Sequence, residues 1–206
     1  MPDIPGRIIN RLGNYLLNFN CFLSTIYMRL KLKLKQIGVG KNVLFYGQAI
    51  FSRYPESVIS VGDFSCFRSS PRSNLIGIKG QCIVATHGLG AKIIIGKNCG
   101  FSGTVIGALE KIVIGNDVLC GANTLITDFD WHGIAPDKRL TSCGDSKEVI
   151  IGNNAFIGYG TVILKGVTIG ANTVIGANSV VTKNIPANVI AGGNPCKVIK
   201  ILEHNK

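Results

Sequence analysis

From Val149 to Ile185 an aliphatic side chain returns every six residues, at Ile151, Ile157, Ile163, Ile169, Ile175 and Val181. Four positions after each of the first five comes a small or short side chain: Ala155, Thr161, Val167, Thr173 and Ser179. Glycine directly follows the aliphatic at Gly152, Gly158, Gly170 and Gly176. This period matches neither the helical repeat nor simple strand alternation. It is the pattern of a parallel β-helix. Each hexad predicts a short strand and a turn, and three hexads close one turn of a triangular solenoid. Ile151 then stacks under Ile169, Ile157 under Ile175 and Ile163 under Val181. The aliphatics point inward, the four-on position stays short where the interior narrows, and Gly and Asn are expected at corners that need positive φ.

Upstream the hexads are weaker. They begin irregularly near Ile37-Gly38-Val39-Gly40 and Val61-Gly62, return at Ile95-Gly96, and become regular from Ile114, with Cys120 and Ile126 keeping step. Pro and charged residues between 53 and 74 predict distorted corners or loops. After Thr127 the phase breaks. Residues 128–148 contain no hexad and read as a polar loop ejected from the coil, the only large break in the repeat. Such loops in economical folds carry function.

Residues 1–35 differ in kind. The run from Leu12 to Leu34 is apolar over much of its surface and ends in Arg29, Lys31, Lys33 and Lys35. Asn14, Asn18, Asn20 and Ser24 interrupt it and no small-residue cleavage site follows, which argues against a signal peptide or a spanning helix. The segment predicts an amphipathic helix packed on the end of the solenoid or against a neighbouring subunit. Basic charge beside Phe19, Phe22, Leu23 and Tyr27 also permits attachment to an anionic membrane surface. Residues 36–202 form the remaining unit.

At 206 residues the chain is expected to be one domain, with ample length for a core. Its formal net charge of +11 invites a nucleic-acid reading. No helix-turn-helix, zinc-finger or aromatic RNA-binding pattern supports that, and the basic residues are dispersed outside the N-terminal cluster. A surface for smaller anionic ligands fits better. The seven cysteines are odd in number and show no CxxC spacing, so neither a disulfide framework nor a metal site is expected. Reduced thiols in a cytoplasmic protein match this usage, and the N-terminal segment permits a place at the inner face of the membrane.

The ejected loop opens Asp128-Phe129-Asp130-Trp131-His132. The other histidines are His87, in a Gly-rich stretch, and His204, near the C-terminus. A neutral imidazole accepts a proton from an alcohol near neutral pH, so His132 is the candidate general base. A carboxylate from Asp128 or Asp130, or a backbone carbonyl, would fix its tautomer.

Residues 95–202 resemble the hexapeptide-repeat O-acetyltransferases, the group containing maltose, galactoside and nodulation-sugar acetyltransferases. The resemblance rests on GFSGTVIGALEKIVIG (100–115), on the D-x-D-W-H loop, and on the tail VVTKNIPANVIAGGNPCKVIKIL (180–202). It implies an all-β, left-handed parallel β-helix with a short C-terminal extension, an exception to right-handed crossovers. It implies acetyl-CoA as donor, no metal, and a homotrimer with sites between subunits. The acceptor it implies is a hydroxyl of a sugar, or of a surface-polysaccharide or glycolipid precursor. Carried over by position, His132 matches the catalytic base, with Asp128 and Asp130 beside it. Tyr159 matches the backbone amide facing the thioester carbonyl, and Ala177 a pantetheine contact. Thr182 and Lys183 match contacts near the nucleotide, and Lys200 a phosphate contact, where ammonium groups neutralise phosphate charge. Ser102 and Trp131 fall on the acceptor side. The sugar-holding Asn and Asp of galactoside acetyltransferase have no clear counterparts near 103–109. An antibiotic or serine-like acceptor and an inactive trimeric scaffold are the alternatives. A γ-class carbonic anhydrase would need a third suitable histidine.

Overall fold

The computed structural model describes residues 3–202; His204 lies outside them. The chain is mostly β, with three parallel sheets and one N-terminal helix. The helix spans Ile4–Leu34, with the Asp3 carboxylate accepting the Gly6 amide at 2.9 Å and Pro5 in its first turn. Its C-terminal half is anchored by buried Cys21, Met28 and Leu32, and by the Thr25 hydroxyl, which accepts the Phe45 amide at 3.0 Å.

Beyond the helix the chain visits the three sheets in rotation. The first sheet holds Gly38–Val39, Val58–Val61, Lys92–Ile95, Lys111–Ile114, Val149–Ile151 and Thr168–Ile169. The second runs from Leu44–Tyr46 through Phe156–Ile157 and Val174–Ile175 to Val189–Gly192, and is closed by the antiparallel strand Lys197–Ile201. The third runs from Ile50–Ser52 through Leu125–Thr127 and Val162–Ile163 to Val180–Val181. Each strand pairs with the next to enter its sheet. Ile151 pairs with Ile169, Ile157 with Ile175, and Ile163 with Val181, the stacking the hexads predict. All six are buried, as are Ala155, Thr161, Val167, Thr173 and Ser179. Each buried Ile contributes roughly 1.5–3 kcal/mol.

Three sequence expectations need correction. The rotation is already regular from Gly38, where no clean hexad is visible, because aromatics replace the aliphatics. Phe45, Phe67 and Phe101 stack in a column with centroids 5.3 and 5.0 Å apart, and Phe51 packs edge-on against Phe67. Residues 128–148 are also not the only large break: residues 69–82, including the short 3-10 turn Pro71–Ser73, leave the fold between the second and third sheets. Finally, Gly152 and Gly158 are not positive-φ residues. Asn154, Asn172 and Asn178 take that conformation. The glycines are needed because a Cβ would lie 2.6 Å from the Ala171 amide nitrogen and 2.5 Å from that of Ala177.

Candidate active site

The site residues named from the sequence divide between two corners of this three-sided arrangement. The corner between the third and first sheets releases residues 128–148 and, at later levels, carries Lys165, Thr182 and Lys183. The corner between the second and third sheets carries Ser102, then residues 121–124, then Tyr159 and Ala177, at four successive levels. Backbone hydrogen bonds tie these levels: Asn123 N–H to Ser102 C=O at 2.9 Å, Gly160 to Ala122 at 2.8 Å, and Asn178 to Tyr159 at 2.7 Å.

The 128–148 loop is held at its root by Asp128. This carboxylate is fully buried and accepts the backbone amides of Leu109 at 2.7 Å, Glu110 at 2.9 Å and Lys111 at 2.6 Å. Burial raises its pKa, while the three amides oppose the rise by favouring the charged form. Asp130 pairs with Lys165, which also reaches Asp145 at 3.9 Å. Both carboxylates are therefore committed to holding the loop. The His132 ring is instead fixed by the third option: its Nδ1 lies 2.8 Å from the Arg139 carbonyl oxygen. A carbonyl only accepts, so Nδ1 carries the proton of the neutral ring and Nε2 keeps its lone pair. His132 itself is exposed.

Trp131 has φ of 68°, a conformation rare for a bulky residue and a local strain. It is held there by its indole N–H, which donates to Thr127 Oγ1 at 3.0 Å, and by Phe129, 4.5 Å away centroid to centroid. The strained turn redirects the chain just before His132. His87 completes this aromatic group, edge-on to Trp131 at 4.9 Å. Its Nε2 is buried and has no hydrogen-bond partner among the described residues. Burial lowers its pKa, and the Asp128 charge partly restores it. It is a neutral packing residue, which its Gly-rich surroundings in the sequence did not reveal.

At the other corner Ser102 is buried, and its hydroxyl accepts Asn74 Nδ2 at 3.1 Å. It lines a cavity of about 330 Å³ with Arg68, Asn74, Gly121 and Phe156. Tyr159 and Ala177 lie further along, close beneath the glycines above them: a Cβ on Gly121 would stand 2.6 Å from the Tyr159 nitrogen. Lys200 lies on the antiparallel edge strand opposite Ile190, and is exposed like Thr182 and Lys183. Sequence reasoning did not single out Lys165. Its signal is a lysine where most corners between 149 and 181 carry short residues.

Burial pushes the Cys66 thiol up to about 11 and raises Cys82, Cys99, Cys120 and Cys196 as well. None of these five supplies a thiolate near neutral pH. No group of side chains suited to a metal occurs among the described residues.

The bacterial transferase hexapeptide model (six repeats) matches residues 148–183. The chain is 47% identical over 87 residues to the galactoside O-acetyltransferase of Lactococcus lactis, covering 42% of each chain. It is 42% identical over 113 residues to that of Escherichia coli K12, covering 54% of this chain and 55% of the relative. The chain thus spans about half the length of the curated relatives it matches. Among solved structures it shares its fold with AntD, an N-acyltransferase from Bacillus cereus in complex with dTDP and 3-hydroxybutyryl-CoA. That match has a TM-score of 0.65 at 20% identity, over 85% of this chain and 88% of AntD. Residues 148–183 thus carry the bacterial transferase hexapeptide repeat, and the C-terminal half of the chain is similar to galactoside O-acetyltransferases.

Proposed function

We propose that the three-sheet rotation is a left-handed parallel β-helix spanning residues 36–202, with residues 1–35 as a separate helical segment. The activity that fits is acetyl transfer from acetyl-CoA to a hydroxyl of a sugar, or of a surface-polysaccharide or glycolipid precursor. The observation that carries this reading is the His132 ring, pinned through Nδ1 on the Arg139 carbonyl with Nε2 left as a base. Similarity to galactoside O-acetyltransferases supports a sugar hydroxyl as the acceptor. The CoA ligand in the AntD complex supports the donor.

The chemistry is direct transfer. His132 Nε2 removes the proton of the acceptor hydroxyl as its oxygen attacks the thioester carbonyl. The Tyr159 amide donates to the resulting oxyanion. The protonated His132 then returns a proton to the departing CoA thiolate, which balances the reaction without a covalent enzyme intermediate. Ala177 would line the pantetheine path, and Thr182, Lys183 and Lys200 the nucleotide end. Ser102 and Trp131 would face the acceptor.

In one chain His132 and Tyr159 stand at different corners. A site using both requires the loop of one copy and the second-to-third corner of another, which supports a homotrimer. The test is complementation. His132→Ala and Gly121→Val should each be inactive, the second because its side chain displaces the Tyr159 amide. Co-expressed, they should recover activity in roughly a quarter of the sites by random assortment. Thiol release from acetyl-CoA with galactosides reads the result. A trimer that shows no recovery, with both variants folded, would sink the shared site.

A further inference from the structure

The helix Ile4–Leu34 packs on the sheets through a narrow apolar contact, Cys21, Met28 and Leu32, and leaves a wider apolar face uncovered. Up to Ser24 the side turned to the sheets is mixed, with Leu16, Leu17 and Cys21 set among polar residues. Asn10, Asn14, Asn20 and Ser24 line a cavity of about 760 Å³ together with Gln48 and Arg72 of the body. The opposite face is apolar and in solvent. Ile8, Leu12, Phe19, Phe22, Leu23 and Ile26 are between 46 and 61% exposed. At about 100° per residue these and their apolar neighbours span an arc of roughly 140°, wider than a coiled-coil seam and as wide as a stripe normally buried. Between Ile4 and Leu34 there is no acidic residue, while Arg7, Arg11, Arg29, Lys31 and Lys33 are basic. Arg7 and Arg11 border the apolar arc on one side.

We infer that this outward face lies in the surface of an anionic lipid bilayer. The helix is not long and apolar enough to cross one. An apolar face carrying Phe and Tyr side chains, on a helix whose only charges are cations, matches the chemistry of an interface between acyl chains and acidic headgroups. A second copy of the helix is the poorer partner, because the cations sit at both ends, Arg7 and Arg11 at one and Arg29, Lys31 and Lys33 at the other, so either orientation sets like charge against like charge. The surface is independent of the transfer chemistry above, and would hold the enzyme where lipid-linked acceptors are found.

The experiment is sedimentation of the full chain with vesicles. Phosphatidylcholine vesicles containing about a third phosphatidylglycerol should carry the protein down; phosphatidylcholine alone should bind it weakly, and high salt should release it. Neutralising Arg7→Gln with Arg11→Gln should weaken binding to the acidic vesicles roughly thirtyfold. Phe19→Glu with Leu23→Glu should abolish it, with the helical circular dichroism and the transfer to a soluble sugar unchanged. Wild-type protein that stays in the supernatant with acidic vesicles overturns the inference. So does a Phe19→Glu/Leu23→Glu protein that still sediments, or one whose only change is a smaller assembly by light scattering, which would assign the face to a second copy.

Discussion

The two corners that carry the candidate site are built in opposite ways. The third-to-first corner is held by side chains: Asp128 on three amides, Asp130 on Lys165, Trp131 on Thr127, and the His132 ring on a carbonyl. The second-to-third corner from Gly121 onward is tied level to level by backbone bonds, with the Thr124, Thr161 and Ser179 hydroxyls donating to carbonyls within it and little room for a Cβ on Gly121 or Gly158. Side chains can be aimed individually, and so they suit a base that must reach a proton. Stacked backbone offers an amide at an unvarying position, and so it suits an oxyanion donor and an extended ligand arm.

That contrast can be broken first at its most sensitive point. His132→Ala should cut kcat about a hundred- to ten-thousand-fold, while leaving melting unchanged, since the side chain is exposed. Near wild-type turnover would move the base elsewhere. Tyr159→Ala at the other corner should stay within a few-fold, because the proposed role uses only its amide; a loss as deep as that of His132→Ala would show that the phenol takes part.

Stability should separate the corners as well. Asp128→Ala leaves three amides without their acceptor, at about 1–3 kcal/mol for each buried group. Urea unfolding should show a loss of about 3 kcal/mol or more. A loss below 1 kcal/mol would mean that water replaces the carboxylate at no cost.

A smaller effect is expected of the lysines. Lys183→Ala and Lys200→Ala should raise KM for acetyl-CoA several-fold with little change in kcat, because ground and transition states hold the phosphates equally. The salt dependence of KM should fall in the double variant. Unchanged KM and salt response would leave both as plain solvated surface.

The smallest effect concerns His87. Its folded pKa lies below the unfolded value of about 6.5. The folded state therefore binds fewer protons, and its contribution is full above that value and declines as pH falls from there to the depressed one. Melting temperature should decline over that window, and His87→Gln should flatten the decline. A wild type and variant with parallel curves would take His87 out of the corner's pH response.

The sequence by itself determined the period, and through it the register. Six-residue spacing allows one stacking that buries every aliphatic, so the pairing of Ile151 with Ile169 followed before any coordinates. It also marked the loop bearing His132, since a lost phase is visible in one dimension. The first rotations were hidden because Phe45, Phe67 and Phe101 fill the interior without the aliphatic signature. The excursion at 69–82 was legible only at its start, where Pro and charged residues between 53 and 74 predict loops; its extent to residue 82 was not. The partners of Asp128 and Asp130 were not legible either. Both stand beside His132 in the sequence, yet their acceptor oxygens go to amides 17 to 19 residues back and to a lysine 35 residues on. Only the tertiary structure decided this, because a buried carboxylate takes whichever donors the fold brings within reach. It likewise decided that the helix turns its apolar face outward. The spacing of apolar residues defines a stripe, but which way the stripe points depends on where Met28 and Leu32 anchor the helix against the sheets.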